Sequence, residues 1–280
     1  MSPRPTLLAR RWRWPATAVI GLGLVLSGQT QADTTRIRIG GTGSALGTMQ
    51  ILGRAFTIQN PDIQVTVLPS LGTSGAIKAV PKGAIDIGLA SRPLSDGEAK
   101  AGIVAMEYAR TPLVFAVSLH TQVTAITLSQ VAEIYAGTLA SWPDGSRIRP
   151  VLRQPGDDST RQLRQMSDAI DQALSMADQR PGMPFATTDQ ETADKIESIP
   201  GAIGMTTLGM IQSEGRPLRA LALDGIEASA DNGATGRYPH VKRMFHVIRM
   251  TPSAEVKRFI AFVHSAAGRD ILIRNGHWIP

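Results

Sequence analysis

The 280-residue chain contains no cysteine. This absence excludes disulfide bonds, thiolate metal sites, a cysteine nucleophile and a lipid anchor attached through cysteine. The chain also lacks low-complexity tracts and repeats at solenoid spacing. What remains is the composition of an ordinary globular protein, with 42% hydrophobic and 19% charged residues. The length suffices for one large domain or for two lobes with sizeable cores.

Long hydrophobic runs are missing as well. Residues 1–15 carry four arginines and no acid, and the apolar run at 16–28 is shorter than the ~20 residues that a membrane span needs. The small residues Thr30 and Ala32 then precede Asp33. This three-part pattern predicts a secretory signal peptide over residues 1–32, cleaved before Asp33, and a membrane anchor is the weaker alternative.

A strong excess of positive charge is lacking once that segment is set aside. The whole chain has a formal charge of +6, but residues 1–32 contribute four arginines and no acid. The remainder has 25 basic and 23 acidic residues and a formal charge of +2. The sequence therefore predicts that nucleic acid is not a partner.

Common catalytic and metal-binding patterns are also absent. The chain has no Gly-x-Ser-x-Gly elbow, no Gly-Lys-Ser/Thr at the end of a phosphate loop, and no two histidines at helical i, i+4 spacing. We therefore predict no enzyme activity, no metal and no cofactor.

What the chain does contain is a regular alternation of strand and helix patterns. Apolar periodicity and glycine or proline stops indicate the boundaries. Strands are predicted at 34–42, 62–72, 84–94, 111–119, 147–154, 201–209, 218–225 and 238–250, and helices at 44–59, 73–83, 127–137, 160–178 and 253–276. Such alternation predicts an α/β fold with mostly parallel sheets.

The stretch RIRIGGTGSALGTM, residues 36–49, joins the first strand to the first helix through glycines and small hydroxyl residues. A helix N-terminus offers unpaired N–H groups and a partial positive charge, and glycines let a ligand approach the backbone. This pattern fits an anion site. The alternative is a plain turn in which Ser44 caps the helix.

Three later strand ends have the same character. Residues 71–78 form another glycine and hydroxyl turn, residues 88–94 include Ser91 and Arg92, and residues 153–163 begin with Arg153 and continue into acids and hydroxyls. Ligands of open α/β sheets bind beyond the carboxyl ends of the strands. The four polar strand ends therefore predict one shared anion site.

An ordered series of segments resembles the periplasmic phosphate-binding proteins of ABC transporters, the PstS-like group of type II solute-binding proteins. The resemblance covers nearly all of residues 36–280, and it is the order of the segments that makes it specific. The segments are GSALGTM (43–49), GTSGAIKAV (72–80), AIDIGLASRPLSDGE (84–98), TLSQVAEIYAGTLASWPDG (127–145), IPGAIGM (199–205), YPHVKRMFHVI (238–248) and the tail from 259 to 280.

This resemblance implies a two-lobed, type II periplasmic-binding-protein fold. Its sheets would be mixed with helices on both faces, and two crossover hinge strands would run near 112–118 and 243–250. Lobe 1 would comprise residues 33–116 plus 246–280, and lobe 2 residues 117–245. Such a protein is a periplasmic monomer that captures an oxyanion and delivers it to an ABC transporter permease. For this chain the resemblance implies phosphate as the leading candidate for that oxyanion.

The resemblance also implies which groups hold the anion. One oxygen would be bound by the Ser44 hydroxyl and the first N–H groups of the helix that follows, another by the second glycine turn, and the main positive charge would come from Arg153. The implied ligand-binding residues are Ser44, Ala45, Leu46, Thr73, Ser74, Gly75, Ser91, Arg153, Asp158, Ser159 and Thr160.

Two departures from the family pattern leave the ligand open. Ser91 stands where the phosphate binders place an aspartate that accepts the ligand's proton, and the loop from Arg153 to Arg161 is stretched. Asp157 or Asp158 either replaces that acceptor or caps the next helix. Sulfate, molybdate, tungstate or a phosphonate therefore stay as alternatives to phosphate, and an anion-binding sensor or surface protein stays as an alternative role.

Overall fold

The computed structural model describes Met1 and residues 35–280. Apart from Met1, the predicted signal peptide lies outside the described residues. Among the helices of the described part, none is both long and apolar enough to cross a membrane.

Within residues 35–280 strands and helices alternate, as the sequence predicts. The strands are β1 (Thr35–Gly41), β2 (Ile63–Val67), β3 (Ile87–Ala90), β4 (Ile103–Ser118), β5 (Ala125–Ile126), β6 (Arg149–Pro150), β7 (Leu152–Arg153), β8 (Phe185–Ala186), β9 (Ala202–Thr207), β10 (Leu218–Ala220), β11 (Ala222–Leu223) and β12 (Val241–Arg249). The helices are α1 (Leu46–Gln59), α2 (Gly72–Ala79), α3 (Asp96–Ala99), α4 (Leu128–Ala136), α5 (Asp158–Arg164), α6 (Asp168–Ala177), α7 (Asp189–Ser198), α8 (Leu208–Ser213), α9 (Ala230–Ala234), α10 (Ala254–Val263) and α11 (Ala266–Arg274).

One sheet runs through the described part in the strand order β2-β1-β3-β12-β4-β9-β6, and β10 also pairs with β4. Strand β4 links its two halves. Residues 103–112 of β4 pair with β12, whereas residues 113–118 pair with β9 and β10. The predicted strand at 111–119 therefore covers only the second half of β4. The first half contains Glu107 and Arg110, whose ion pair interrupts its apolar pattern.

The main sheet is mixed, as the family resemblance implies, so the prediction of mostly parallel sheets from the alternation alone is wrong. Strand β1 is parallel to β2 and β3, but β4 is antiparallel to β12, β9 and β10. Strand β12 returns from late in the chain and inserts between β3 and β4, antiparallel to both. Local alternation of strands and helices cannot reveal a pairing over such a distance in sequence.

Two predicted long helices are each broken by a new helix start. The helix predicted at 160–178 is divided into α5 and α6, because the Ser167 hydroxyl accepts the Ile170 N–H and caps α6. Likewise, Ser265 accepts the Gly268 N–H and caps α11, so that the region 253–276 contains two helices. Serine is favoured at this position because its side chain satisfies a free N–H group.

The hydrophobic core is built in separate clusters. One lies among residues 113–238 and includes Phe115, Tyr135 and Tyr238. Two others lie among residues 37–109 and 244–272, around Phe56 and Phe259 in one case and Ile77 and Val247 in the other. Strand β4 contributes residues to all three clusters and so crosses the boundary between them. The polar strand ends gather at this boundary.

Candidate functional site

A polar cavity of about 280 Å³ lies at this boundary and is called the pocket below. Its lining comes from three stretches and two single residues that are far apart in sequence. They are residues 70–75, residues 153–159 apart from Pro155, residues 187–189, and the single residues Thr42 and Lys242.

The hydroxyl wall consists of Thr42 to Ala45, Ser70 to Gly75 and Ser91. Thr42 and Ser70 to Gly75 line one side of the pocket, and Gly43 to Ala45 and Ser91 lie behind or beside them. A turn of 3-10 helix at 43–45 follows β1. A Cβ atom on Gly43 would lie 2.4 Å from Gln190 Oε1 and 2.8 Å from the Asp189 Cβ. Glycine is therefore required at position 43, because the start of α7 packs directly against this turn.

Within this wall, Thr73 and Ser91 are tied together. The Ser91 N–H donates to Thr73 Oγ1 at 3.0 Å, and the two hydroxyl oxygens are also 3.0 Å apart. Thr73 lies in the first turn of α2, whose N-cap residue makes no side-chain cap bond. The wall thus presents hydroxyl groups and a helix N-terminus, and it carries no charged side chain.

The charged wall consists of Arg153, Asp157, Asp158, Asp189 and Lys242. Arg153 ends β7, and its side chain is only 9% exposed. It donates to Asp157 through Nε at 3.1 Å and Nη2 at 2.6 Å, and its Nη1 lies 3.6 Å from Asp189 Oδ1. Burial lowers the pKa of Arg153, but Asp189 and Asp157 outweigh it and raise that pKa above its usual value. The guanidinium is therefore charged.

The two acids after Arg153 have different surroundings. Asp157 is the N-cap of α5, because its Oδ1 accepts the Ser159 N–H at 2.8 Å. Asp158 faces the hydroxyl wall, where its Oδ2 accepts the Ser91 hydroxyl at 2.9 Å. Arg92 and Arg161 also lie beside the Asp158 carboxylate. The structure thus places capping on Asp157 and leaves Asp158 beside Ser91.

Lys242 is a site residue that the sequence analysis missed. Its side chain is 1% exposed, its Nζ donates to Ser159 Oγ at 2.9 Å, and it lies 4.0 Å from Asp189 Oδ1. A signal was available, since strand alternation puts Lys242 on the same face of β12 as the buried Met244 and His246. A lysine on a buried strand face needs a partner.

Asp189, the first residue of α7, is the second residue that was missed. Its Oδ2 accepts the Ser44 N–H at 2.9 Å and lies 3.4 Å from Thr42 Oγ1, while its Oδ1 lies 3.4 Å from Ser159 Oγ. Burial raises the pKa of Asp189, but Lys242, Arg153 and the Ser44 N–H together hold it below its usual value. Asp189 is therefore a buried carboxylate anion.

The predicted ligand-binding residues are only partly brought together. Thr73, Ser74, Gly75, Arg153, Asp158 and Ser159 line the pocket, and Ser91 adjoins it through its contacts with Thr73 and Asp158. Ser44 is buried behind the pocket, where its N–H is already bonded to Asp189. Ala45, Leu46 and Thr160 are buried but do not line the pocket.

Two of the residues that do not line the pocket line other cavities instead. Leu46 lines a neighbouring groove that shares Ser70 and Thr188 with the pocket, and Thr160 lines a small interior void beside Arg153. Across the described residues, we find no group of three or more His, Asp or Glu side chains that could hold a metal ion.

Comparisons with known proteins agree on the family. A family model described as a PBP superfamily domain matches residues 28–267. Phosphate-binding protein PstS of Bacillus subtilis is 24% identical over 233 residues, which cover 80% of this chain and 74% of that protein.

Two solved structures show the same fold. A phosphate ABC transporter substrate-binding protein of Clostridium perfringens, solved with bound phosphate, is 22% identical with a TM-score of 0.73; the match covers 88% of this chain and 100% of that one. An ABC-type phosphate transport receptor of Vibrio cholerae is 21% identical with a TM-score of 0.61, covering 87% and 100%. The α/β fold implied by the sequence resemblance is therefore confirmed.

Proposed function

Because the chain belongs to the PBP superfamily, we propose that it is a solute-binding protein that captures inorganic phosphate in the pocket and delivers it to an ABC transporter. The names of its relatives support phosphate as the ligand, since the B. subtilis protein is named a phosphate-binding protein and the C. perfringens structure holds phosphate. The role is binding, not catalysis.

The observation that carries this proposal is the convergence of donors on one cavity. Arg153 and Lys242 supply two buried cations, and hydroxyl groups come from Thr73 in the hydroxyl wall and from Ser159 beside Lys242. Hydrogen bonds to a charged partner contribute about 1.5–3 kcal/mol each, so a few such contacts suffice for tight binding of a desolvated oxyanion.

Asp158 gives the pocket a means of selecting phosphate over sulfate. A carboxylate repels a fully ionised oxyanion but accepts a hydrogen bond from one that carries a proton. The resemblance places such a carboxylate at position 91, and here Ser91 donates to Asp158 instead. We propose that Asp158 supplies the acceptor from the other wall.

We further propose that residues 33–116 plus 246–280 form one lobe and residues 117–245 the other, and that the lobes close on the anion. The separate hydrophobic clusters at 113–238 and at 37–109 with 244–272 support this division. A signal peptide cleaved before Asp33 would direct export of the protein to the periplasm. There it would act as a monomer and present its closed form to a permease.

The test is calorimetric titration of the ligand-stripped protein with phosphate, sulfate, molybdate and chloride at matched ionic strength, supported by thermal unfolding. We expect heat and a rise in melting temperature with phosphate, because a ligand at 100 times its Kd stabilises the fold by about 2.7 kcal/mol. Sulfate should bind only when Asp158 is changed to Asn. Binding of no oxyanion would contradict the proposed function.

A further inference from the structure

The donors expected to hold an anion converge on a carboxylate that the chain itself provides. Ser44, Arg153 and Ser159 are each predicted to contact the ligand, Ser44 through its hydroxyl. In the structure the Ser44 N–H, the Arg153 guanidinium and the Ser159 hydroxyl each contact or face Asp189 instead. Thr42 and Lys242 complete the set, at 3.4 and 4.0 Å from its two oxygens. Asp189 thus has the surroundings of a bound anion.

The two cations explain why a carboxylate is held there. The side chains of Arg153 and Lys242 are 9% and 1% exposed, and an unpaired charge so deeply buried costs several kcal/mol. Asp157 pairs with Arg153 but is not among the ion-pair partners of Lys242. With no ligand bound, Asp189 is the carboxylate that neutralises Lys242.

The backbone around Asp189 keeps it in this place. Thr188 caps α7 by accepting the Glu191 N–H, and Gln190 donates to the Gly43 carbonyl oxygen at 2.9 Å. Since Gly43 leaves no room for a Cβ atom against residues 189 and 190, the start of α7 is fixed against the hydroxyl wall. The fixed position of α7 therefore places the short side chain of Asp189 beside the Ser44 N–H.

We propose that Asp189 is an internal competitor of the ligand and sets the affinity of the pocket. It occupies the Ser44 N–H, shares Ser159 Oγ and stands between the two cations, so a bound oxyanion must take over these donors while remaining close to a negative charge. This inference rests on the proposed function, because it assigns to Asp189 the part of an affinity-limiting residue in the same phosphate site.

The experiment compares Asp189→Asn and Asp189→Ala with the unchanged protein, using inorganic phosphate in calorimetric titrations after ligand stripping. Both variants should bind phosphate at least tenfold more tightly. Without phosphate both should melt at a lower temperature than the unchanged protein, because Lys242 has lost its carboxylate partner. Saturating phosphate should remove that difference, since the ligand then neutralises the cation.

The matched control is Glu107→Gln. It removes one negative charge from a mostly buried carboxylate that also pairs with two cations, Arg110 and Arg243, but lies outside the pocket. We expect phosphate affinity to change by less than threefold in this variant.

Equal or weaker phosphate binding by both Asp189 variants, while the unchanged protein still binds phosphate, would overturn the inference and leave the proposed function standing. Absence of phosphate binding in every protein would overturn both. If Asp189→Ala does not fold, the nearly isosteric Asp189→Asn variant decides the question.

Discussion

The two walls of the pocket achieve the same burial by different means. The hydroxyl wall buries Thr42, Ser44, Thr73 and Ser91 as neutral groups that bond to one another, to the backbone or to the carboxylates of Asp158 and Asp189. The charged wall buries full charges, and there Arg153 and Lys242 each face a carboxylate of the chain.

The two walls differ in the free-energy cost of burying their polar groups. A hydroxyl group needs one partner and contributes about 1 kcal/mol, whereas a buried charge without a partner costs several kcal/mol. The hydroxyl wall therefore needs no counter-ion when no ligand is bound. The cations of the charged wall do need counter-ions, and carboxylates of the same wall provide them. Those counter-ions then oppose the ligand. The charged wall therefore contains both the cations that attract the ligand and the carboxylates that compete with it.

The largest expected effect is on phosphate binding by Arg153→Met. Removing this cation should weaken phosphate affinity by more than a hundredfold, or about 3 kcal/mol, because it deletes a charge-assisted contact in a desolvated site. Titration calorimetry measures it. The control is Arg164→Met, which removes an arginine that pairs with Asp171 and Asp178 outside the pocket. A loss below threefold for Arg153→Met would remove the main distinction between the walls.

Lys242→Met tests whether the buried charges are coupled. Leaving Asp189 with one cation fewer should lower the free energy of unfolding by about 3 kcal/mol without ligand, as measured in urea. Adding Asp189→Asn to this variant should restore at least half of the loss, because the unpaired charge is gone. Lys195→Met, which breaks a surface pair with Glu191, is the control and should cost under about 0.5 kcal/mol. Simple additivity of the two pocket substitutions would contradict the coupling.

His246, four residues beyond Lys242 on β12, extends the comparison to a buried group kept neutral. It is fully buried and stacks on Tyr108 with ring centroids 4.0 Å apart, and neither ring nitrogen has a hydrogen-bond partner within residues 35–280. Burial, assisted by His264, lowers its pKa from 6.5 to about 3. Because the unfolded chain takes up this proton first, the stability from the neutral ring is complete above pH 6.5 and is lost as the pH falls towards 3.

We therefore expect the His246→Phe variant to gain about 2 kcal/mol in unfolding free energy relative to the unchanged protein when the pH is lowered from 7 to 5. Urea unfolding at both pH values measures this difference. His120→Phe, at an exposed histidine, should show no such gain. A constant difference between His246→Phe and the unchanged protein would contradict the assignment.

Local signals predicted those parts of the fold that depend on neighbouring residues. Helix α4 begins and ends where the sequence indicates, because Thr127 and Gln130 form a capping box and Gly137 takes the left-handed conformation at φ 84°. The break between α5 and α6 was missed because the helical spacing of apolar residues in the segment 160–178 continues through Ser167. The position of β12 between β3 and β4 was beyond any local pattern.

The site divides in the same way. Thr73, Arg153 and Ser159 follow strand ends or begin helices, so their place at the pocket could be anticipated. Asp189 could not, because it starts a helix that reaches the pocket only through the packing of Gly43 against α7. Lys242 could have been found from the alternation of β12. Ala45 and Leu46 were expected to offer N–H groups, but their turn is packed behind the pocket.

The smallest expected effect tests the hydroxyl wall through Thr73. Thr73→Val keeps the shape of the side chain but removes its hydroxyl, and should weaken phosphate binding by about fivefold, or ~1 kcal/mol, since one neutral donor is lost. Thr73→Ser keeps the hydroxyl and should bind within twofold of the unchanged protein in the same calorimetric titration. A loss in Thr73→Val as large as that in Arg153→Met would mean that the neutral wall, not the charged one, carries the affinity. The comparison between the walls would then have to be reversed, because a hydroxyl group can contribute that much only if its loss also disorders Ser91, whose N–H and Oγ both bond to it.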